Sequence, residues 1–216
     1  MQTAKSWVVA VGLAALVLPV GAIAQANNIP AYSQPAPGEK VLSFFGILPD
    51  HGVALTTGGK MPLRTGPEGI ALFTEPALNN TLALIMKLAD ENGNVVGFAS
   101  ELEIFPGDPA AAEISWDTAW TLSIPGRGMI FLHQIEHSGG LGPNIVDPTM
   151  KSGKNWVGDW TVTTTVGPLP SGRGRIVGGS GEFANIKGSF VEIDRLTGFT
   201  VDGVMFGKLE IRLFLE

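Results

Sequence analysis

The stretch RIVGGSGEFANIKGSF, Arg175 to Phe190, places four glycines in sixteen residues. Two readings compete for it: a phosphate-binding loop, or a turn between strands. A phosphate loop needs a strand before it and a helix after it, so that the anion meets the free N–H groups of the helix N-terminus. Arg175 to Val177 supplies a short strand. After the glycines, however, Phe190 and Glu192 alternate with Val191 and Ile193, which is strand spacing again. No Lys-Ser/Thr pair follows the glycines, and no ribose-binding acid stands on a second strand. The glycines therefore read as a backbone hinge where one strand hands over to the next and φ turns positive.

The rest of the chain agrees. In TLALIMKLAD, Leu82, Leu84, Met86 and Leu88 share one face. Asn92-Gly93 is a strong hairpin signal, and VVGFASELEIF follows as the partner strand. There Phe98, Leu102 and Ile104 form the apolar face, and Glu101 and Glu103 take the other, read as outward and so not as a paired-carboxylate site. A second hairpin spans Ile114 to His137, with its turn at Pro125-Gly126-Arg127-Gly128. NWVGDWTVTTTV is a further strand, and in VMFGKLEIRLFLE the residues Met205, Leu209, Ile211, Leu213 and Leu215 face inward. No long stretch has helical spacing with caps; EGIALFTEPALNNTLA holds one short helical turn at most. The pattern predicts an all-β chain folded as a single closed antiparallel barrel of about eight strands.

The ends and the composition bound the function. Lys5, the uncharged run Trp7 to Val20 and Ala22-Ile23-Ala24 form a signal peptide over 1–24, cleaved after Ala24. Residues 25–40 read as a flexible leader rich in Pro, Asn and Ser, and 41–216 as the barrel domain. Export to the periplasm or medium is expected, with no membrane contact after cleavage. The net charge of −6 and the lack of basic clusters argue against nucleic acid as a partner. With no cysteine in the chain, thiol catalysis and cysteine-zinc sites are excluded.

Histidines offer the clearest chemistry. His133 and His137 lie four apart; on a helix they would share a zinc ion, but on a strand they stand about 13 Å apart, so no metal is expected. An even-length turn centred on Gly126-Arg127 pairs residues whose numbers sum to 253. His133 then faces Trp120, His137 faces Trp116, Phe131 faces Leu122 and Ile135 faces Thr118. That would put two imidazoles and two indoles on one apolar face, suited to proton transfer beside a flat unsaturated substrate. The alternative is that these histidines are core, rim or interface residues. Trp156 and Trp160 share one face of a further strand; inverting it would turn Asp159 into the lumen as a candidate acid. Arg173 and Arg175, beside the glycine turn, are either carboxylate anchors or solvated charges.

The glycine stretch also resembles a family. IVGGSGEFANIKGSF is similar to the Gly-Gly-Thr-Gly-x-Phe-x-x-Ala-x-Gly signature of the allene oxide cyclase-like and dirigent-like barrels. Gly178, Gly179, Gly181, Phe183 and Gly188 match it, with Ser180 for the usual threonine and Ile186 for the usual alanine. DENGNVVGF resembles that family's turn before a Val-Gly strand. The resemblance implies an eight-stranded barrel, commonly a homotrimer, that holds an apolar substrate in its lumen and steers cyclisation or coupling without a cofactor.

The expected function is thus a cofactor-free enzyme of the isomerase, cyclase or lyase type acting on an apolar, unsaturated or aromatic small molecule. His133, His137 and Asp159 are its candidate catalytic residues, and Trp116, Trp120, Phe131, Trp156, Trp160 and Arg175 its candidate substrate contacts. The alternative is a non-catalytic or dirigent-like protein that orients a ligand reacted elsewhere. When the chain is produced in a secreting host, its intact mass is expected to begin at Gln25; a secreted product retaining Met1 would refute the signal peptide.

Overall fold

The computed structural model describes residues 29–57, 75–107 and 114–216; the expected signal peptide, 1–24, lies outside them. Strand alternation sets the local geometry. β1 (Lys40–Leu48) and β2 (Gly52–Thr57) run along one side of β3 (Thr81–Ala89). β3 turns back into β4 (Val95–Ile104), and β5 (Ser115–Ile124) turns back into β6 (Gly128–His137). β7 (Trp156–Thr163), β8 (Thr165–Gly167) and β9 (Gly174–Gly179) are short pieces sharing the lane between β6 and β10 (Gly188–Phe199). β11 (Met205–Leu215) then pairs with both β10 and β1.

Phe45 stands opposite Ala89, which joins β1 to β3. The ring therefore runs β1, β11, β10, the β7–β9 lane, β6, β5, β4 and β3, a closed eight-stranded antiparallel barrel. Closure pairs each lane of this ring on both sides, and among the described residues β2 pairs with β3 alone. Met86, Leu88, Leu122, Phe190, Ile211 and Leu213 are fully enclosed in its core. Each is worth about 1.5–3 kcal/mol relative to exposure. The one α-helix among the described residues, α1 (Asp147–Ser152), follows a single turn at Gly142–Val146. Ile145 and Val146 of that turn pack with Trp160, Leu196 and Phe199 in a second cluster at the far end of β10. Pro76–Leu78 is one 3₁₀ turn, all the helix that the described part of EGIALFTEPALNNTLA contains.

The segment before β1 is tied to the barrel wall from Tyr32 on. Val191, Ile193 and Phe214 face outward from β10 and β11, and Tyr32 covers them. The Tyr32 hydroxyl donates to the Thr165 carbonyl at 2.8 Å, and Ser33 bonds Thr163 at 2.8 Å. Arg173 donates to the carbonyls of Tyr32 and Gln34, pairs with Glu39 at 2.8 Å, and stacks on Phe214. Of the two roles open to Arg173, the structure gives it this clasp.

The second hairpin departs from the expected register by one residue. Its loop is Pro125–Arg127, three residues long, because Arg127 N–H bonds the Ile124 carbonyl and Ile124 lies opposite Gly128. Trp120 therefore faces Leu132, Ala119 faces His133, Trp116 faces Glu136 and Ser115 faces His137. A slip of one residue turns every side chain of one strand to the other face. Ile130, Leu132, Gln134 and Glu136 point inward, while Phe131, His133 and Ile135 point outward. β4 is also inverted from expectation: Glu101 and Glu103 are buried, and Phe98, Leu102 and Ile104 are exposed. The register explains why. Leu84 pairs with Glu101 and Leu82 with Glu103, so the acids share the side of the buried leucines.

The glycine hinge is present, and its amides are already used. After β9, Gly181–Phe183 makes one 3₁₀ turn. Ser180 N–H bonds the Met129 carbonyl at 2.9 Å and Glu182 N–H bonds the Arg127 carbonyl at 2.7 Å. Gly181 has φ +60°, and a Cβ there would overlap the Arg127 carbonyl oxygen. Gly93 at the first hairpin has φ +82° but open space around it. An alanine in this backbone region costs about 1–2 kcal/mol. Chemical denaturation of Gly93→Ala is expected to show that loss alone, and Gly181→Ala at least twice as much. Equal losses would remove the close-approach argument.

Candidate functional site

Four strands and one strand junction send polar side chains to the same part of the lumen. β4 contributes Glu101 and Glu103; β5 contributes Trp116, Thr118 and Trp120; β6 contributes Gln134 and Glu136. Thr164 and Thr165 come from the β7–β8 junction, and Glu192 and Asp194 from β10. Registers align them: Glu101 lies opposite Trp120, Glu103 opposite Thr118, and Glu136 between Trp116 and Thr165. Of these, Glu101, Glu103, Trp116, Glu136, Thr164, Glu192 and Asp194 border a cavity of about 130 Å³, which His137 and Ser138 and an apolar wall with Leu84, Phe105, Val146, Trp160 and Leu209 complete. Phe105 and Trp116 meet edge to face, their ring centroids 5.1 Å apart.

Hydrogen bonds fix the inner half of this cavity. Glu136 Oε2 accepts from Trp116 Nε1 at 2.9 Å and from Thr118 at 2.6 Å. Its Oε1 accepts from Gln134 at 2.8 Å and from Thr164 at 3.0 Å. Four donors around one carboxyl are the surroundings of an anion with its lone pairs used. Gln134 also donates to Glu192, whose second donor is Trp120 Nε1 at 3.0 Å. The Gln134 carbonyl accepts from Thr165, and the Thr165 oxygen accepts from Glu192 N–H. Thr164 is held in place by its own backbone, which bonds both β6 and β10.

The outer half is left open. Glu101 is 4% exposed, and no hydrogen bond to its carboxyl occurs among the described residues. Asp194 Oδ1 and Ser138 Oγ are shut from solvent without partners, and both residues border the cavity. Among the described residues, no lysine or arginine lines it. Burial, reinforced by the neighbouring acids, pushes Glu101, Glu103 and Glu192 well above the usual carboxylate range. Burial and then the charge of Glu136 push Asp194 up to about 7. Glu101, Glu136 and Glu192 bring carboxylate oxygens within 4.8 Å of one another, an all-oxygen set of the kind hard cations use.

The residues expected from sequence divide between inside and outside. Trp116 and Trp160 line the cavity, and His137 stands at its rim, its Nδ1 accepting Gly139 N–H at 3.0 Å. Trp120 is buried against Glu192, and Trp156 packs in the second cluster beside Trp160. The outside group is corrected by the hairpin register. His133 is on the outer face, 3.0 Å from exposed Asp117, and Phe131 is exposed next to it. Arg175 is also outside, opposite His133. Asp159 is exposed, 3.6 Å from Arg195, because Trp160 and Val162 occupy the inner face of β7.

Glu101, Glu103, Gln134, Glu136, Glu192 and Asp194 were missed. The turn before β4 sets Asp90 opposite Asn94 and Ala89 opposite Val95. An irregularity between Ala89 and Leu88 then shifts the register by one and brings Glu101 opposite Leu84, on the buried face. No turn signal in the sequence foretells that shift. No family model matches the chain, and no curated protein matches it in sequence.

The raised acids make stability depend on pH. A carboxyl that holds its proton more tightly when folded contributes stability that is complete below its unfolded pKa and is lost as pH rises through the folded value. For Asp194 the window opens at 3.8 and closes at about 7; for Glu101 it opens at 4.5 and extends to higher pH. Calorimetric Tm is therefore expected to fall between pH 5 and pH 8, and Glu101→Gln to raise Tm at pH 8 and flatten the slope. A Tm that climbs across this window would contradict the assignment.

Proposed function

We propose that the lumen is a cofactor-free acid–base site that takes a small apolar, unsaturated or aromatic molecule and isomerises or cyclises it. The observation that carries this reading is the set of carboxyls from β4, β6 and β10 that border one cavity, with Glu101 and Asp194 Oδ1 left without hydrogen-bond partners among the described residues. Burial pushes Glu101 well above the usual carboxylate range and so favours its protonated form, and no hydrogen bond to its carboxyl occurs among the described residues, which leaves the O–H to a substrate. Asp194, near 7 with a free oxygen, takes protons up and gives them back. Opposed pairs of this kind run acid and base steps at the same pH.

In the proposed sequence, Glu101 donates its proton to the substrate at one point while Asp194 removes a proton at another. The substrate is rearranged with no change in oxidation state, and the two acids re-equilibrate their proton afterwards. Glu136, clamped by four donors, is a fixed polar wall that needs no reorganisation during the step. The Phe105–Trp116 pair and Trp160 give flat walls for an unsaturated framework.

The resemblance to allene oxide cyclase-like and dirigent-like barrels supports the same reading, since a closed eight-stranded barrel is the architecture that it implies. Export to the periplasm or medium rests on the leader sequence. Assembly as a homotrimer rests on the resemblance, and exposed Phe98, Leu102, Ile104 and Met129 are apolar surface suited to burial between copies.

Mass spectrometry of small molecules retained or transformed by the purified protein identifies the substrate. On it, Glu101→Gln and Asp194→Asn are each expected to lower kcat by about 10²–10⁴-fold. The rate is expected to rise with pH through about 7 as Asp194 ionises. His133→Gln, altered outside the barrel, should leave turnover unchanged. Retained molecules that emerge chemically unaltered would favour the non-catalytic, dirigent-like alternative.

A further inference from the structure

Two carboxyls suffice for an acid and a base, yet among the described residues five line this cavity and no lysine or arginine does. A neutral apolar ligand gains nothing from the excess. An anionic ligand would add to the crowding of like charge that already pushes Glu101, Glu103 and Glu192 well above the usual carboxylate range, whereas a positive charge relieves it. A cation is the one class of ligand that the surplus favours. Two further observations, independent of the acids' number, mark where it sits. Ser138 is 9% exposed, with its hydroxyl unpartnered, and Asp194 Oδ1 is likewise enclosed and unpartnered. Buried polar atoms without partners are rare, and such atoms bordering one cavity mark the position of a missing donor.

The remaining walls fit the rest of such a molecule. Trp116, Trp160 and Phe105 border the same space, and the faces of aromatic rings attract cations, indole most strongly. The volume of about 130 Å³ is close to the roughly 150 Å³ that accommodates a benzene ring in an apolar cavity. We propose that the ligand of this lumen is a small aromatic or unsaturated ammonium compound whose nitrogen is held by Asp194 and Ser138 and whose carbon framework lies against Trp116 and Trp160. This rests on the lumen being the ligand site, as argued above, and adds the charge that selects the ligand.

Both orphan oxygens belong to residues that border the cavity, and an ammonium group supplies three donors. Its charge meets Glu101 and Glu103 from β4, Glu136 and the rim residue His137 from β6, and Glu192 and Asp194 from β10. Inward-facing Trp160 and Val162 of β7 and Leu209 of β11 bring no titratable group. Because the cation favours the ionised form of Asp194, binding below neutrality must expel a proton. Affinity then rises with pH until Asp194 is already ionised in the free protein.

The test is calorimetry on the mature chain with three probes of one size: benzylamine, benzyl alcohol and benzoate. Titrations at pH 6 and pH 8 in two buffers of different ionisation heat count the protons released. Benzylamine is expected to bind at least about tenfold more tightly than benzyl alcohol, the gain from one charge-assisted hydrogen bond. Benzoate should not bind detectably. Proton release is expected at pH 6 and not at pH 8. Asp194→Asn is expected to abolish the preference for amine over alcohol, and Ser138→Ala to reduce it, with barrel circular dichroism confirming that both variants fold. Benzyl alcohol binding as well as benzylamine, or a folded Asp194→Asn that keeps the preference, would overturn the charge assignment and leave the lumen as a ligand site. Failure of all three probes would overturn both.

Discussion

The Glu136 carboxylate accepts hydrogen bonds from Trp116 and Thr118 of β5, Gln134 of its own strand and Thr164 beside β8. These donors belong to neighbouring lanes of one sheet, so the charge is satisfied only when β5, β6 and the β7–β8 junction stand in a single register. Sliding β5 by one residue would take both Trp116 and Thr118 to the outside of the barrel and leave a buried charge without half its partners. Removing one side of such a network costs several kcal/mol. Satisfied, it holds the register; the same network passes through Gln134 to Glu192 and so reaches β10, across the lane.

That constraint explains the inside-out character of part of the wall. β4 buries Glu101 and Glu103 and exposes Phe98, Leu102 and Ile104. Two apolar strips therefore face outward. The one on β10 and β11 is covered within the chain by Tyr32 and the Arg173 clasp. The one on β4 has no such cover among the described residues. The polar interior and the apolar exterior are two sides of the same alternation, since in a strand a residue moved inward obliges its neighbour to face out.

The chemistry of the cavity follows from the same arrangement. Donors are concentrated on Glu136, and Glu101, Asp194 and Ser138 keep oxygen atoms without partners. A carboxyl stripped of water and of donors holds its proton more tightly, as burial does for Glu101 and Asp194. Environment alone therefore separates acids of similar intrinsic strength into different roles.

Much of the fold was legible in the sequence because it depends on short-range order. Period-two alternation in β3 and β11, the Asn92-Gly93 turn and the glycine hinge are each set by a few adjacent residues, and each is present as expected. Trp116 and Trp160 were legible as cavity residues for the same reason. What only the tertiary structure decided was facing. In β4, β5 and β6 both faces carry apolar residues, so hydrophobic pattern does not choose between them, and a loop one residue shorter than assumed moved His133 and Phe131 outside and brought Glu136 in. The acidic cluster is assembled from β4, β6 and β10, which lie nearly a hundred residues apart at the extremes. Sequence spacing holds no record of that meeting, because the distances within it are created by closure of the barrel.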